Sequence, residues 1–465
     1  MNWNQEEEEE YLLSLSRFEA MLKTDKVLFF DSEEFEDIIF HYLDTGKTNL
    51  AKRALKLALE QHPKSTDLKL IQVEILVYEN KFDLAEKMLN ELHELEPTNE
   101  EIYIQKANMY SKKGNHNKAV ELLEIALEYT DDYADVYSMI GMEYLFMDEL
   151  EKAKENFIKC LKEDKEDYSA LYNIVYCFDF LEQYQEAVDF LNGFIDENPY
   201  SEVAWHQLGR EYYILKEYEL SARAFDYAIV IDEWFLGAYM EKAKALEKLE
   251  KYEEAIVCYN HTLELEDPTA FAYMRIGKCY EKLKNKDLAL KYYRKSVAED
   301  PLLEKGWYAI IDLYTKEKNY KRALSYVSKA LDIDEHNEQY WKRYGSLNYT
   351  LENYEEAYTG YEKSILNGSL DLDVFLIFAD MNMVLENYEK AIEMLVQYTE
   401  VYPGHHEIEY RLAGLHFILG NEPSAMFHLN SALLTDFEGL DLFSKMFPSI
   451  YERKSVQKLI KEYGK

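Results

Sequence analysis

Small and aromatic residues return along this chain at a fixed interval of 34 positions. With Ser32 as position 1, position 20 reads Ala51, Ala85, Ala119, Ala153, Ala187, Ser221, Ala255, Ala289, Ala323, Ala357, Ala391 and Ala425, with no insertion between them. Alanine makes up less than about a tenth of ordinary sequence, so chance does not produce such a column. It marks a place where two helices cross and only a small side chain fits. Position 8 is small or β-branched and includes Gly141, Gly209, Gly277 and Gly345, as a close approach of backbones requires. Position 4 collects Phe35, Tyr103, Tyr137, Trp205, Tyr239, Tyr273, Trp307, Trp341 and Phe375, and position 11 collects Tyr42, Tyr110, Tyr144, Phe178, Tyr212, Tyr280 and Tyr314. These rings fill the space between helices. Pro63, Pro97, Pro199, Pro301 and Pro403 at position 32 end the second helix of their repeats. Gly46, Gly114 and Gly420 at position 15, and Asn115, Asn285, Asn319, Asn353, Asn387 and Asn421 at position 16, are expected to form a left-handed turn between the helices. The period thus predicts twelve helix pairs over residues 32–439.

The pattern weakens toward the end, where position 11 becomes Asn348, Asn382 and His416 and position 4 becomes Glu409. Terminal repeats are often atypical because one face meets water instead of a neighbour. Before the array, Gln5 to Leu22 reads as a helix with Tyr11, Leu12, Leu15, Phe18 and Leu22 on one face, behind the acidic run Glu6–Glu10. The expected organisation is an acidic segment and capping helix over 1–31, the repeats over 32–439, and carboxyl-terminal capping helices over 440–465. In the last segment Leu440 to Phe447 should form one helix, Pro448 interrupt it, and Ser449 to Tyr463 resume.

Composition supports an all-α chain. Among 465 residues there are 16 Gly and 8 Pro, too few for a sheet protein's turns. The formal charge of -38 argues against nucleic acid and anionic membrane as partners. No run of about 18 apolar residues predicts a membrane span, and no basic region followed by an apolar run predicts a secretory signal. Cys160, Cys177, Cys258 and Cys279 form no C-x-x-C pair and read as buried small hydrophobes in a reducing compartment. A cytoplasmic protein is expected.

Trp205, Leu208, Gly209 and Tyr212 are spaced W-x2-L-G-x2-Y, with Phe225 and Ala228 following. This stretch resembles the tetratricopeptide repeat, whose unit is a helix-turn-helix of about 34 residues. The resemblance implies a right-handed α-solenoid superhelix that serves as a protein-interaction scaffold or adaptor. It also implies that positions 2, 5, 6, 9, 12 and 13 of the first helices line a concave groove. A second reading is a regulator whose superhelix closes around a small peptide ligand.

In repeats one to five those positions carry Glu33, Glu36, Asp37, Asp44, Asp67, Glu74, Glu101, Asp135 and Asp179 against Lys112 alone. In repeats six to ten the sign reverses. Arg210, Lys244, Arg275, Lys278, Lys342 and Arg343 become candidates for pairing with an acidic segment of a protein or peptide partner. The competing reading is that helix-end lysines and acids three residues away already account for the positive charge. An apolar patch supplies the other candidates, Met139, Met142, Tyr172, Asn173 and Tyr176, since Met and Tyr make adaptable contacts. For Leu145, Phe146, Phe180 and Ile214 on the same face, burial between helices is the expected role.

The clamp for terminal carboxylates known in this family needs Lys, Asn, Asn, Lys and Arg across three successive repeats, and no three repeats here supply it. Walker loops, dinucleotide glycine motifs, G-x-S-x-G elbows and H-E-x-x-H pairs are missing from the sequence. His405, His406, His416 and His428 lack metal-ligand spacing. The chain therefore reads as a non-enzyme without cofactor or metal.

Overall fold

A computed structural model of the chain describes residues 5–24, 28–265 and 269–463, with side chains for residues 12–23, 28–265 and 269–463. Met1–Asn4 and the side chains of the Glu6–Glu10 run and Tyr11 lie outside the described residues. Among the described residues there are 28 helices and no strand. Between the first helix, Gln5–Thr24, and the last three, the helices fall into twelve pairs. They run from Ser32–Asp44 with Thr48–Gln61 to His406–Ile418 with Glu422–Thr435. The chain divides into two compact bodies, Met1–Ala245 and Leu246–Lys465. Each body contains a series of separate apolar clusters, as expected where each repeat packs only on its neighbours.

All twelve residues at position 20 are fully buried. The single serine meets the demand of burial by donating its hydroxyl proton to the Gly209 carbonyl at 2.8 Å. The position 8 glycines face the ring at position 24 of their own repeat. A Cβ would fall 2.7 Å from Phe157 at Gly141, 2.7 Å from Phe225 at Gly209, 2.5 Å from Tyr293 at Gly277, and 3.1 Å from Tyr361 at Gly345. Where position 8 is larger, as in Ile39, Val73, Val175 and Ile311, position 24 is Leu55, Leu89, Leu191 and Val327. An aromatic ring at position 24 thus stands opposite glycine or alanine, and a β-branched residue at position 8 stands opposite an aliphatic one. At position 4 the tryptophan N–H groups find a fixed acceptor, the carbonyl six residues earlier: Pro199 for Trp205 at 3.0 Å, Pro301 for Trp307 at 2.9 Å and Glu335 for Trp341 at 2.7 Å.

The turn between helices corrects one expectation. The left-handed residue is position 15 in every repeat. It is glycine only at Gly46, Gly114 and Gly420, and elsewhere Asn80, Asp148, Glu182, Lys216, Glu250, Lys284, Lys318, Glu352 and Glu386 hold positive φ. The position 16 asparagines have negative φ. Asn115, Asn285, Asn319 and Asn421 cap the second helix by accepting a backbone N–H three residues on. Hydrogen bonds such as Lys47 N–H to the Tyr42 carbonyl at 2.8 Å and Lys81 N–H to Leu76 at 2.8 Å close a 6→1 ring around position 15. That geometry forces a left-handed residue whatever its side chain.

Repeats eleven and twelve form complete helix pairs. Asn382 replaces the ring at position 11, is fully buried, and is satisfied by the Phe378 carbonyl at 2.8 Å and the Tyr358 hydroxyl at 3.2 Å. Buried Glu409 accepts from His428 at 2.7 Å. In the N-terminal helix Phe18 and Met21 are buried against Phe30, Phe35, Ile38 and Tyr42, but Leu12 is exposed. At the other end the helices are Leu440–Met446, Pro448–Tyr451 and Lys454–Tyr463. Pro448 opens a short helix, where its missing N–H costs nothing, and does not simply interrupt one. Phe443, Phe447, Ile450 and Val456 are buried with Tyr410 and Phe417 of the last repeat.

Candidate peptide-binding surfaces

In the N-terminal body the first helices of repeats four, five and six are Tyr133–Phe146, Tyr168–Phe180 and Glu202–Ile214. Their shared face carries Met142, Tyr172, Tyr176, Phe146, Phe180 and Ile214, all exposed. Asn173 reaches the Met142 sulfur at 4.0 Å, and the Tyr176 and Phe180 rings lie 4.5 Å apart. Met139 is half-buried against the core of repeats three and four. Burial holds for Leu145, which packs on the core, but not for the other three residues expected inside: Phe180 is 63% exposed, Phe146 60% and Ile214 40%. They occupy position 13, two residues before the left-handed turn, at the end of the first helix, and Phe146 is covered only in part, by the His116 ring at 5.3 Å.

Among the described residues Glu33, Glu36, Asp37, Asp44, Asp67, Glu74, Glu101 and Asp135 of the acidic stretch make no ion pair. Burial first, then repulsion from Asp67, Glu33 and Asp37, raises Glu36 to about 7. Asp37, Glu74, Glu101 and Asp135 are raised as well, in each case by burial before neighbouring carboxylates. Deeper in, fully buried Glu211 is pushed up to about 8 by burial and by Asp179, which is itself raised by burial. Among the described residues both Glu211 oxygens and Asp179 Oδ1 lack a hydrogen-bond partner, so it is protonation of one carboxyl that makes the pair tolerable. His206, packed against the Phe225 and Phe235 rings, is lowered to about 4 by burial and then by Arg210.

The basic candidates are mostly engaged within the chain. In the N-terminal body Arg210 donates to Gln207 at 2.9 Å and Lys244 pairs with Glu241 at 2.7 Å. In the C-terminal body Arg275 pairs with Glu247 at 2.6 Å and donates to the Tyr259 hydroxyl at 3.1 Å, while that hydroxyl donates to Glu247 at 2.7 Å. Lys342 pairs with Asp371. Arg343 lies 3.5 Å from Asp312 and stacks over the Tyr308 ring at 4.3 Å. Lys278 is exposed and makes no ion pair among the described residues. The acids three residues away explain Lys244 alone. Arg275 and Arg343 at position 6, like Arg411 with Asp380 at 2.8 and 2.9 Å, take a carboxylate from position 9 or 12 of the preceding repeat. That offset of about one repeat is the signal that could have found these pairs in the sequence.

All four cysteines are buried and free. Burial pushes the Cys160 thiol up to about 12 and Cys177 up to about 11, the opposite of what a reactive thiol needs. Among the described residues no group of three or more His, Cys, Asp or Glu is placed to hold a metal ion. No described helix is long and apolar enough to cross a membrane.

Models of the tetratricopeptide repeat match residues 76–142, 134–167, 169–201, 236–268 and 270–303. The chain belongs to the tetratricopeptide-repeat family. Over 159 residues it is 24% identical to anaphase-promoting complex subunit 3 of Schizosaccharomyces pombe, a match that covers 34% of this chain and 24% of that protein. Its fold is similar to the C-terminal part of a tetratricopeptide-repeat protein of Cytophaga hutchinsonii, with 17% identity, a TM-score of 0.42, and 52% of this chain and 99% of that one covered. It is also similar to the MamA protein, with 22% identity, a TM-score of 0.33, and 37% and 94% covered. The matched residues include repeats four and five, which carry Met142, Phe146, Tyr172, Tyr176 and Phe180 of the exposed aromatic face.

Proposed function

We propose that this tetratricopeptide-repeat protein is a non-enzymatic scaffold or adaptor that holds an extended or helical segment of another protein against the first helices of repeats four to six. The observation that carries this reading is the exposed run of Met142, Phe146, Tyr172, Tyr176, Phe180 and Ile214 across the first helices of three successive repeats. Contiguous exposed apolar surface of this kind is a mark of an interaction site. The unneutralised carboxylates Glu36, Glu74 and Glu101 in the repeats before it favour a segment that adds lysine or arginine to its apolar contacts. An acidic segment would have to compete with Glu247, Asp312 and Asp371 for Arg275, Arg343 and Lys342.

A photo-crosslinking residue at position 176, compared with one at exposed Lys162 on a second helix, tests the reading in cell extract. Discrete adducts at 176 that are absent at 162 and lost when Phe146 and Phe180 are changed to Ser are the expected result. Equal labelling at both positions would overturn it.

A further inference from the structure

The C-terminal body contains a cleft of about 670 Å³ whose lining is mostly apolar and aromatic, including Tyr349, Tyr354, Tyr358, Val384 and Leu385, and takes in the carboxylates Glu355 and Asp380. Its volume is that of a ligand pocket, and its walls are presented to solvent: Val384 is 84% exposed, Leu385 57% and Tyr354 56%. The floor is fixed. Tyr358 packs on Phe378 at 4.6 Å, its hydroxyl donates to Asn382 at 3.2 Å, and Lys390 donates to that hydroxyl at 2.8 Å. Apolar exposure continues one repeat on, where Ile418 and Leu419 stand 34 residues after Val384 and Leu385.

From this cleft we infer a second binding site, for an amphipathic helix that carries an apolar face flanked by lysine or arginine. Two features select that occupant. The apolar stripe crosses three first helices, Glu338–Thr350, Leu372–Val384 and His406–Ile418. Helices pack about 10 Å apart, so the stripe is about 20 Å long and matches about 13 residues of helix with anchors at i, i+3 or i+4, and i+7. The rim is negative. Glu355 at the cleft, and Glu352 and Glu386 in the turns that follow Tyr349 and Val384, are exposed and make no ion pair among the described residues. Asp380 is already neutralised by Arg411. Basic flanks on the partner complete those carboxylates; acidic flanks are repelled. This site is independent of the aromatic face in the N-terminal body.

The probe is a dye-labelled synthetic helix of about 14 residues with leucines at those spacings and lysines beside them, titrated into the full chain by fluorescence anisotropy. The same peptide with glutamates for lysines is the control. Saturable binding of the basic peptide should weaken by about tenfold or more in V384D with L385D, as loss of a central apolar anchor does. E355K should weaken it several-fold and narrow the preference over the acidic peptide. Tyr176→Ala should leave it unchanged, which separates failure here from failure of the first reading. Circular dichroism verifies that each variant is folded. No saturable binding, equal binding of both peptides, or indifference to V384D with L385D and to E355K would overturn the inference. So would concentration-dependent dimerisation of the wild type that V384D abolishes, because a second copy would then cover the cleft.

Discussion

Gly209 and Phe225 form a contact that leaves no room for a methyl group: a Cβ on Gly209 would lie 2.7 Å from the Phe225 ring. The first helix of repeat six reaches its partner with position 8 empty where position 24 is aromatic. Gly209→Ala should therefore destabilise the N-terminal body by about 1–3 kcal/mol through overpacking. Adding Phe225→Leu should cost less than the sum of the two single changes, since it restores the small-and-aliphatic pairing of other repeats. Urea unfolding of the double-mutant cycle checks this; strict additivity would mean the contact is not the constraint.

The Asp179–Glu211 pair makes stability depend on pH near neutrality. Glu211 has a folded-state pKa raised from the ordinary carboxylate range to about 8. Between those values the folded chain holds a proton that the unfolded chain has released, so stability falls as pH rises. The slope is at most about 1.4 kcal/mol per pH unit for one proton. Glu211→Gln removes that term. The variant should gain on the wild type steadily from pH 5 to pH 8 in urea melts, and a constant difference would refute a protonated Glu211.

Arg275 should behave as a structural cation. Arg275→Ala leaves Glu247, whose side chain is only 10% exposed, without its counter-charge. Removing one member of a buried pair costs about 3–5 kcal/mol. Lys278→Ala, at an exposed and unpaired residue, should stay within about 0.5 kcal/mol of the wild type. Thermal melts of the two variants side by side distinguish this from a binding role for both.

Deleting residues 440–465 should uncover Tyr410, Phe417 and Gly414, the last of which lies so close to the Phe447 ring that a Cβ would fall 2.2 Å from it. Amide exchange across residues 372–439 should then accelerate while exchange in the N-terminal body stays as it was, because repeats are stabilised by their immediate neighbours. Unchanged exchange in 372–439 would remove the capping role from the last three helices.

The sequence alone determined the repeat length, the helix pairing and the crossing points, because these depend on side-chain volume at a fixed spacing. The alanine column and the glycines opposite Phe157, Phe225, Tyr293 and Tyr361 are local steric facts repeated often enough to be counted. Tertiary structure decided which charges are available. Arg275 and Arg343 look like free groove cations until stacking of one repeat on the next brings Glu247 and Asp312 beside them, and a pattern read within a single helix cannot see a partner some 30 residues away. It also decided exposure at the helix ends. Phe146 and Phe180 have the character of core residues, yet at position 13, the end of the first helix, most of each ring faces solvent. The cleft at Tyr354 and Val384 was hidden for the same reason. Its walls come from different helices of two repeats, and only their packing makes the residues neighbours.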